Sequence, residues 1–461
     1  MATSQIARDG VSLLVARLEQ ARAETDKLFT IIAQDALYSR PIPERHRLIF
    51  YLGHLEAFDR NLLKEPLAFP PHNEAFDKLF SFGIDPTDGD LPNDQPSDWP
   101  PEVQVREYNR VTRRQLDERI SGNSRALHPL VADGTLLHVA IEHRLMHAET
   151  LAYLLHQLPH GQKRSPGRSL FHSAAPLEQR MMPIPAGIAT LGQPRRRAND
   201  GFDSVARAVA FPFGWDNEFK EATVEVPAFL VGAFPVTNAG FLEFVRAGGY
   251  DDRSLWTEEN WNWKNSAGVQ HPFFWSRTSS GGRANGAAGE WLYRGMFQEF
   301  PLPMDWPVYV SHAEASAYAR WRGQRLPTEA QWHRAAYGTP AGAERLYPWG
   351  DADPDTSRGN FDFAGWDPSP ANAHPAGASA FGICDLAGNG WEWTSTPFAP
   401  LPGFEAFPFY AGYSANFFDG VHFVMKGGSP RTAACFLRRP FRNWFQPRYP
   451  YVYAKFRLVE E

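Results

Sequence analysis

At 461 residues, with 43% hydrophobic and 21% charged residues, the chain has the size and balance of a globular protein of two or three domains. A net charge of −6 excludes the electrostatic footprint of a nucleic-acid or anionic-membrane binder. Two cysteines, Cys384 and Cys435, exclude a disulfide framework and fit a reducing compartment. The N-terminal MATSQIARDG has no basic stretch followed by an apolar one, so no signal peptide is expected. No run reaches the roughly 18 apolar residues of a spanning helix. The expectation is a cytoplasmic protein without membrane or nucleic-acid partners, as monomer or homodimer.

Residues 8–34 repeat apolar positions with a helical period and contain no proline, which predicts a first helix. A proline break, SRPIPERHR, precedes a second helical stretch, Leu48–Leu63, which contains His54. The connection 64–101 is rich in Pro and Asp and is read as a long loop, a length that is more often functional than not. Residues 102–120 read as a third, polar helix and 136–158 as a fourth, strongly apolar one. Four helices with one long crossover predict a bundle, whose facing side chains commonly build metal sites.

The fourth helix carries His143-Arg144-Leu145-Met146-His147-Ala148-Glu149. Histidines at i and i+4 lie one turn apart on one face, so their imidazoles can converge on one ion. Glu149 is placed to ligate or to accept a hydrogen bond from a ligand. Alone, such a pair reads as partly exposed helix histidines; a third histidine across the bundle changes that. His54, among Phe50, Tyr51, Leu52, Leu55 and Phe58, is the candidate. With His143 and His147 it makes a three-histidine site that leaves coordination positions open, as catalysis requires. His138 and His156 are read as structural or exposed.

Residues 159–177 are polar and aperiodic, and the linker is placed at 161–180 between a helical domain at 1–160 and a second domain at 181–461. Beyond it the texture changes to short strands, Gly/Pro turns and dense aromatics, most of the 15 tryptophans included. One helical interruption is predicted over 311–337, opened by Ser311 with Glu314 at capping-box spacing.

Seven segments of this half, in order, are MPIPAGIATLG (182–192), FPFGWDNE (211–218), FPVTNAGFLEFV (234–245), RLPTEAQWHRAA (325–336), YPWGD (347–351), DLAGNGWEWT (385–394) and KGGSP (426–430). They resemble the formylglycine-generating-enzyme (sulfatase-modifying-factor) domain, a C-type-lectin-like α+β fold. The first half resembles a DinB-type four-helix bundle, with the motif His-x3-His-x-Glu and an upstream histidine. Together they resemble the ergothioneine, ovothiol and selenoneine synthases, non-haem iron enzymes. The resemblance implies a ferrous ion on His54, His143 and His147. It implies O2-dependent joining of a thiol, or a selenol in the selenium branch, to the imidazole ring of histidine or hercynine.

Three neutral imidazoles leave about three octahedral positions, enough for O2, a soft donor and the imidazole substrate. By the resemblance, a tyrosine ahead of the KGGS segment delivers a proton, which makes Tyr410 and Tyr413 the candidates. By the same resemblance Asn443 and Trp444 approach the imidazole substrate. An amide can donate to a carboxylate or ring nitrogen, and an aromatic face can hold a quaternary ammonium.

Two positions depart from the enzymes that use γ-glutamylcysteine. Phe445 stands where they carry an aspartate, and Met146 where they carry a glutamine. Both make the substrate-binding surface less polar, which leaves cysteine or a selenosugar open as donor beside γ-glutamylcysteine. Two alternatives come from other chemistry. A copper formylglycine-generating oxidase needs two cysteines after GGS, and only Cys435 is there. A zinc-dependent DinB-type thiol transferase would use the same three histidines, since zinc competes well for imidazole.

Overall fold

The apolar repeat at 8–34 forms α1 (Ala2–Ile31), and the next helical stretch forms α2 (Leu48–Leu63), which is buried over nearly its whole length. The computed structural model describes residues 2–81, 91–121, 128–167, 173, 175–195, 213–278 and 290–461. Within them the connection 64–101 is not one loop. It contains α3 (Glu74–Leu79), whose N-cap Asn73 accepts from the Phe76 N–H, and a single 3-10 turn at Pro96–Asp98. Such local side-chain caps are what start so short a helix; residues 82–90 of this connection lie outside the described residues.

The bundle is completed by α4 (Glu102–Ser121), the short α5 (Pro129–Ala132) and α6 (Thr135–Gln157). α4 is largely polar, and its apolar residues Val105, Tyr108, Val111, Leu116 and Ile120 are buried while Val103 is exposed. α6 begins after Gly134, whose φ of 82° is a conformation that glycine adopts without cost, and stops before Pro159. α1 packs along α6, and α2 packs against both α4 and α6. This unit comprises Met1–Arg168 and the second Ser169–Glu461. The linker read at 161–180 spans that division, with 168–172 and 174 outside the described residues.

The second unit is built of short strands. β1 (Met181–Ile184), β2 (Gly187–Leu191), β3 (Ala222–Val226) and β4 (Phe229–Gly232) precede α7 (Asn238–Arg246) and α8 (Glu258–Ser266). β5 (Trp275–Arg277), β6 (Trp291–Arg294) and β7 (Glu299–Pro301) form an antiparallel meander. After α9 (His312–Trp321) and α10 (Glu329–Tyr337) come β8 (Trp391–Pro397), β9 (Phe423–Lys426), β10 (Asn443–Phe445), β11 (Ala454–Lys455) and β12 (Val459–Glu460). One sheet has the order β10-β9-β8-β11, in which β11 runs parallel to β8. Another has the order β1-β4-β12, and β2 pairs with β3.

The helix predicted over 311–337 is two helices. The capping box on Ser311 and Glu314 starts α9 as expected. Gly323 at φ 66° and then Pro327 end it, because a left-handed residue and a proline both break the helical ladder. A second capping box, Thr328 with Gln331, starts α10. The core under α10 is Trp332, Ala335 and Ala336 against Ile184, Val231, Ile383 and Leu386. The indole of Trp332 donates to Glu392 (2.8 Å), whose carboxylate also takes both arms of Arg457 (2.6 Å each). A buried carboxylate is tolerated here because every charge in the group is paired.

Candidate metal centre and tyrosine cluster

His54 projects from the middle of α2, and His143 and His147 from successive turns of α6. Their ligand nitrogens all lie within 4.8 Å of one another, and this is the group of three that the described residues offer at that place. The Nε2 atoms of His54 and His147 are 3.2 Å apart. Two nitrogens bonded to one ion at about 2.1 Å sit at about that spacing, so the pair matches adjacent ligands of a common ion.

Protonation also fits. The carbonyl of Phe80 lies 2.7 Å from Nδ1 of His54, and a carbonyl only accepts, so Nδ1 carries the proton and Nε2 the lone pair. Burial pushes the His54 imidazole down to about 4, and burial holds His143 and His147 well below the ordinary histidine range. All three are therefore neutral near pH 7, the form that binds metal. Aromatic rings wall the group: Phe58 stacks on His143 at 3.4 Å between centroids, and Phe50 on His54 at 4.8 Å. The residues present thus fit a metal ion.

Glu149, read as ligand or support, is half-buried on α6 and does not join the three-histidine group. Met146 is half-buried in the turn that carries His147. Sequence reasoning missed Phe80, because its contribution is a backbone atom. A signal exists in Gly53, beside His54. A Cβ there would stand 2.6–2.7 Å from the Phe80 ring, so the glycine is what lets that residue approach.

In the second unit the two candidate tyrosines fall in one aromatic cluster. Tyr413 is buried and stacks on Trp215 at 3.9 Å; half-buried Tyr410 meets the edge of Trp215 at 6.2 Å and Tyr413 at 5.6 Å. Trp444 joins through Tyr413 at 5.5 Å and stacks on Phe398 at 4.2 Å. Asn443 accepts from the N–H of Trp444 through Oδ1 (2.8 Å), which orients its amide, and Phe445 stacks on Tyr449 at 5.5 Å. The structure therefore brings Tyr410, Tyr413 and Trp444 together, with Asn443 and Phe445 on the same strand as Trp444.

The FPFGWDNE segment supplies what anchors this cluster, a role its sequence does not announce; its Phe211 and Pro212 lie outside the described residues. Trp215, Asp216, Asn217 and Glu218 are almost wholly buried. Ser414 donates to Asp216 and accepts from Asn217 (2.9 Å), and Glu218 takes both arms of Arg438 (2.6 and 2.8 Å). Burial pushes the Asp216 carboxyl up to about 6 against the pull of the Ser414 hydroxyl.

Residues 168–461 match the family described as Sulfatase-modifying factor enzyme 1-like domain, and residues 17–151 match the DinB superfamily. The hercynine oxygenase of Mycolicibacterium smegmatis is 35% identical over 328 residues, covering 70% of each chain. That of Mycolicibacterium thermoresistibile is 41% identical over 254 residues, 54% of each chain. Ergothioneine biosynthesis protein 1 of Neurospora crassa is 29% identical over 505 aligned residues, 94% of this chain and 56% of that one. The chain spans about half the length of the curated relatives from M. thermoresistibile and N. crassa.

Fold and site together define a helical bundle with three grouped histidines that could hold a metal ion, followed by a sulfatase-modifying-factor domain. The chain belongs to the ergothioneine sulfoxide synthase family, with the hercynine oxygenases among its relatives. Among the described residues no helix is long and apolar enough to cross a membrane.

Proposed function

We propose that the protein is an iron(II)- and O2-dependent oxygenase that joins a thiol to the imidazole C2 of hercynine, a step of ergothioneine biosynthesis. The observation that carries this reading is the trio His54, His143 and His147: three neutral imidazoles whose nitrogens lie within 4.8 Å, on two packed helices. Ferrous iron bound there supplies the one-electron and O2 chemistry that no side chain provides. Three protein ligands leave positions open, and His-rich sites of this kind suit iron as well as zinc. The relatives named hercynine oxygenase favour the redox metal over a zinc thiol transferase.

The protein's own tasks follow from the residues. His54 presents its Nε2 lone pair because Phe80 holds the proton on Nδ1. Phe50 and Phe58 keep water from two of the imidazoles. Tyr410 or Tyr413 donates a proton from its phenol, the ring held in place by Trp215. The face of Trp444 suits the quaternary ammonium of hercynine, and Asn443, its Oδ1 already engaged, turns its amide NH2 toward the substrate. The work is small-molecule chemistry, with a reducing cytoplasm as its setting.

A second reading concerns the donor. Phe445 offers no carboxylate to an ammonium group, and its stack with Tyr449 forms an aromatic surface of the kind that receives a sugar ring. That favours a selenosugar donor and a C–Se bond, as in the selenoneine branch. Mass spectrometry of an aerobic incubation of the iron-loaded protein with hercynine decides between the readings, with cysteine, γ-glutamylcysteine and a selenosugar in competition. A sulfoxide adduct is expected in the first case and a selenium adduct in the second. No adduct with any donor, despite bound iron, overturns the oxygenase reading.

A further inference from the structure

The residue beside His143 is an arginine with no access to solvent. Arg144 lies in α6 but spends its guanidinium on α2. Nη1 donates to Glu56 Oε1 (3.0 Å). Nη2 donates to Glu56 Oε2 (2.9 Å), to Asp59 Oδ2 (2.6 Å) and to the carbonyl of Leu55 (2.9 Å). Leu55 directly follows His54, so one hydrogen bond joins the neighbour of one ligand to the neighbour of another. Glu56 also accepts from Arg113 of α4 (2.8 Å), and Arg113 takes both oxygens of Asp26 on α1 (2.7 and 2.8 Å). Four helices are thereby tied at the level of the histidines.

We propose that Arg144 is a positioning residue for the metal centre: its planar fork fixes the register of α6 against α2 and so sets the mutual distance of the three imidazoles. Apolar packing between helices tolerates sliding by part of a turn, because ridges and grooves repeat along the axis. A bidentate guanidinium–carboxylate pair does not, since both hydrogen bonds fail together when the fork moves. The centre needs that precision, because its ligands come from two different helices and a misplaced nitrogen loses its bond. Burying the charges costs desolvation that hydrophobic residues would avoid, so stability alone does not account for them; specificity of register does.

The inference rests on the three-histidine reading, and the test separates the two. Cobalt(II) alone is the probe, added to the full chain, with affinity read by chelator competition and geometry by the visible d–d absorption. His147→Ala is the control and should abolish the cobalt spectrum. Arg144→Met combined with Glu56→Gln and Asp59→Asn removes the charges of Arg144 and its two carboxylate partners and leaves Arg113 paired with Asp26. We expect this variant to keep its far-ultraviolet helix signal, to bind cobalt about 10- to 100-fold more weakly, and to show a shifted d–d band. Arg144→Lys keeps the charge without the fork and should recover only part of the affinity. Wild-type cobalt affinity and spectrum in the folded triple variant overturn the proposal while leaving the centre intact. If the triple variant does not fold, Arg144→Lys decides: a spectrum and affinity equal to wild type overturn the proposal, and a loss of both supports it. A wild-type protein that takes up no cobalt overturns the centre and the proposal together.

Discussion

The Nδ1–H of His54 donates to the carbonyl oxygen of Phe80 over 2.7 Å, across 26 residues of chain. This bond selects the tautomer of one candidate metal ligand, and it exists because Gly53 leaves room for the Phe80 ring. Phe80 is fully buried, with Phe76, Trp99 and Tyr108 around it, so the ring has nowhere to retreat. Gly53→Ala should therefore weaken metal binding and lower stability by about 1–3 kcal/mol through overpacking. Alanine's better helix propensity, about 1 kcal/mol, acts in the opposite direction and is outweighed. Metal titration and chemical denaturation check this, and a Gly53→Ala variant as stable as wild type with equal affinity would refute it.

Glu329 and Arg442 form a buried bidentate pair at 2.9 and 3.0 Å, one residue from Asn443. Burial, the largest single influence, would raise the Glu329 carboxyl, but the charges of Arg442 and Lys426 and the hydrogen bonds from Arg442 together hold the group below the usual range. Glu329→Ala leaves a buried guanidinium without its partner, at a cost of about 3–5 kcal/mol. A denaturation midpoint within error of wild type would contradict this account.

Glu344 gives a pH signature. Burial tends to raise its carboxyl, yet hydrogen bonds from His333 (3.0 Å), from the Thr190 N–H (2.9 Å) and from Arg439 (3.0 Å) bring it down to about 2. A carboxyl depressed in the folded state adds stability that is present above about pH 4.5 and lost as pH falls toward 2. Glu344→Gln should be less stable than wild type at pH 7, and the gap should close between about pH 4.5 and 2. A gap that is constant across this window would mean that the carboxylate is not the group responsible.

The tyrosines are separated by removing one hydroxyl at a time. Loss of the proton-donating phenol should lower turnover about 10²- to 10⁴-fold with metal affinity unchanged. The other Tyr→Phe change should cost little, because the contact of its ring with Trp215 survives. Wild-type turnover in both Tyr410→Phe and Tyr413→Phe removes the pair from the mechanism.

The bundle was legible because α2 and α6 are apolar enough to declare themselves by period alone, and the histidines ride on that period. What hid were interactions that no residue pattern encodes. Phe80 acts through a carbonyl, and α3 starts at the Asn73 cap inside a stretch dominated by Pro and Asp, its Asp77 bonded to Arg60 and Tyr108 from other helices. The 311–337 helix was overread because Gly323 and Pro327 fall inside an otherwise helical composition. Arg144 is, in sequence, one charged residue of an apolar helix; only its neighbours in space, Glu56 and Asp59, make it interior.

The anchoring of the tyrosine turn has a consequence for how the second unit folds. Asp216 and Ser414 are 198 residues apart in the chain, as are Trp215 and Tyr413. Contacts of such separation must bring together a long loop before they return any energy, and they slow folding accordingly. A chain emerging from the ribosome exposes the Trp215–Glu218 turn well before its partners are synthesised. The helical bundle, made first and of more local contacts, can fold while the second unit waits. The aromatic cluster should therefore be among the last features to form, and refolding followed by tryptophan fluorescence should lag behind the recovery of helix.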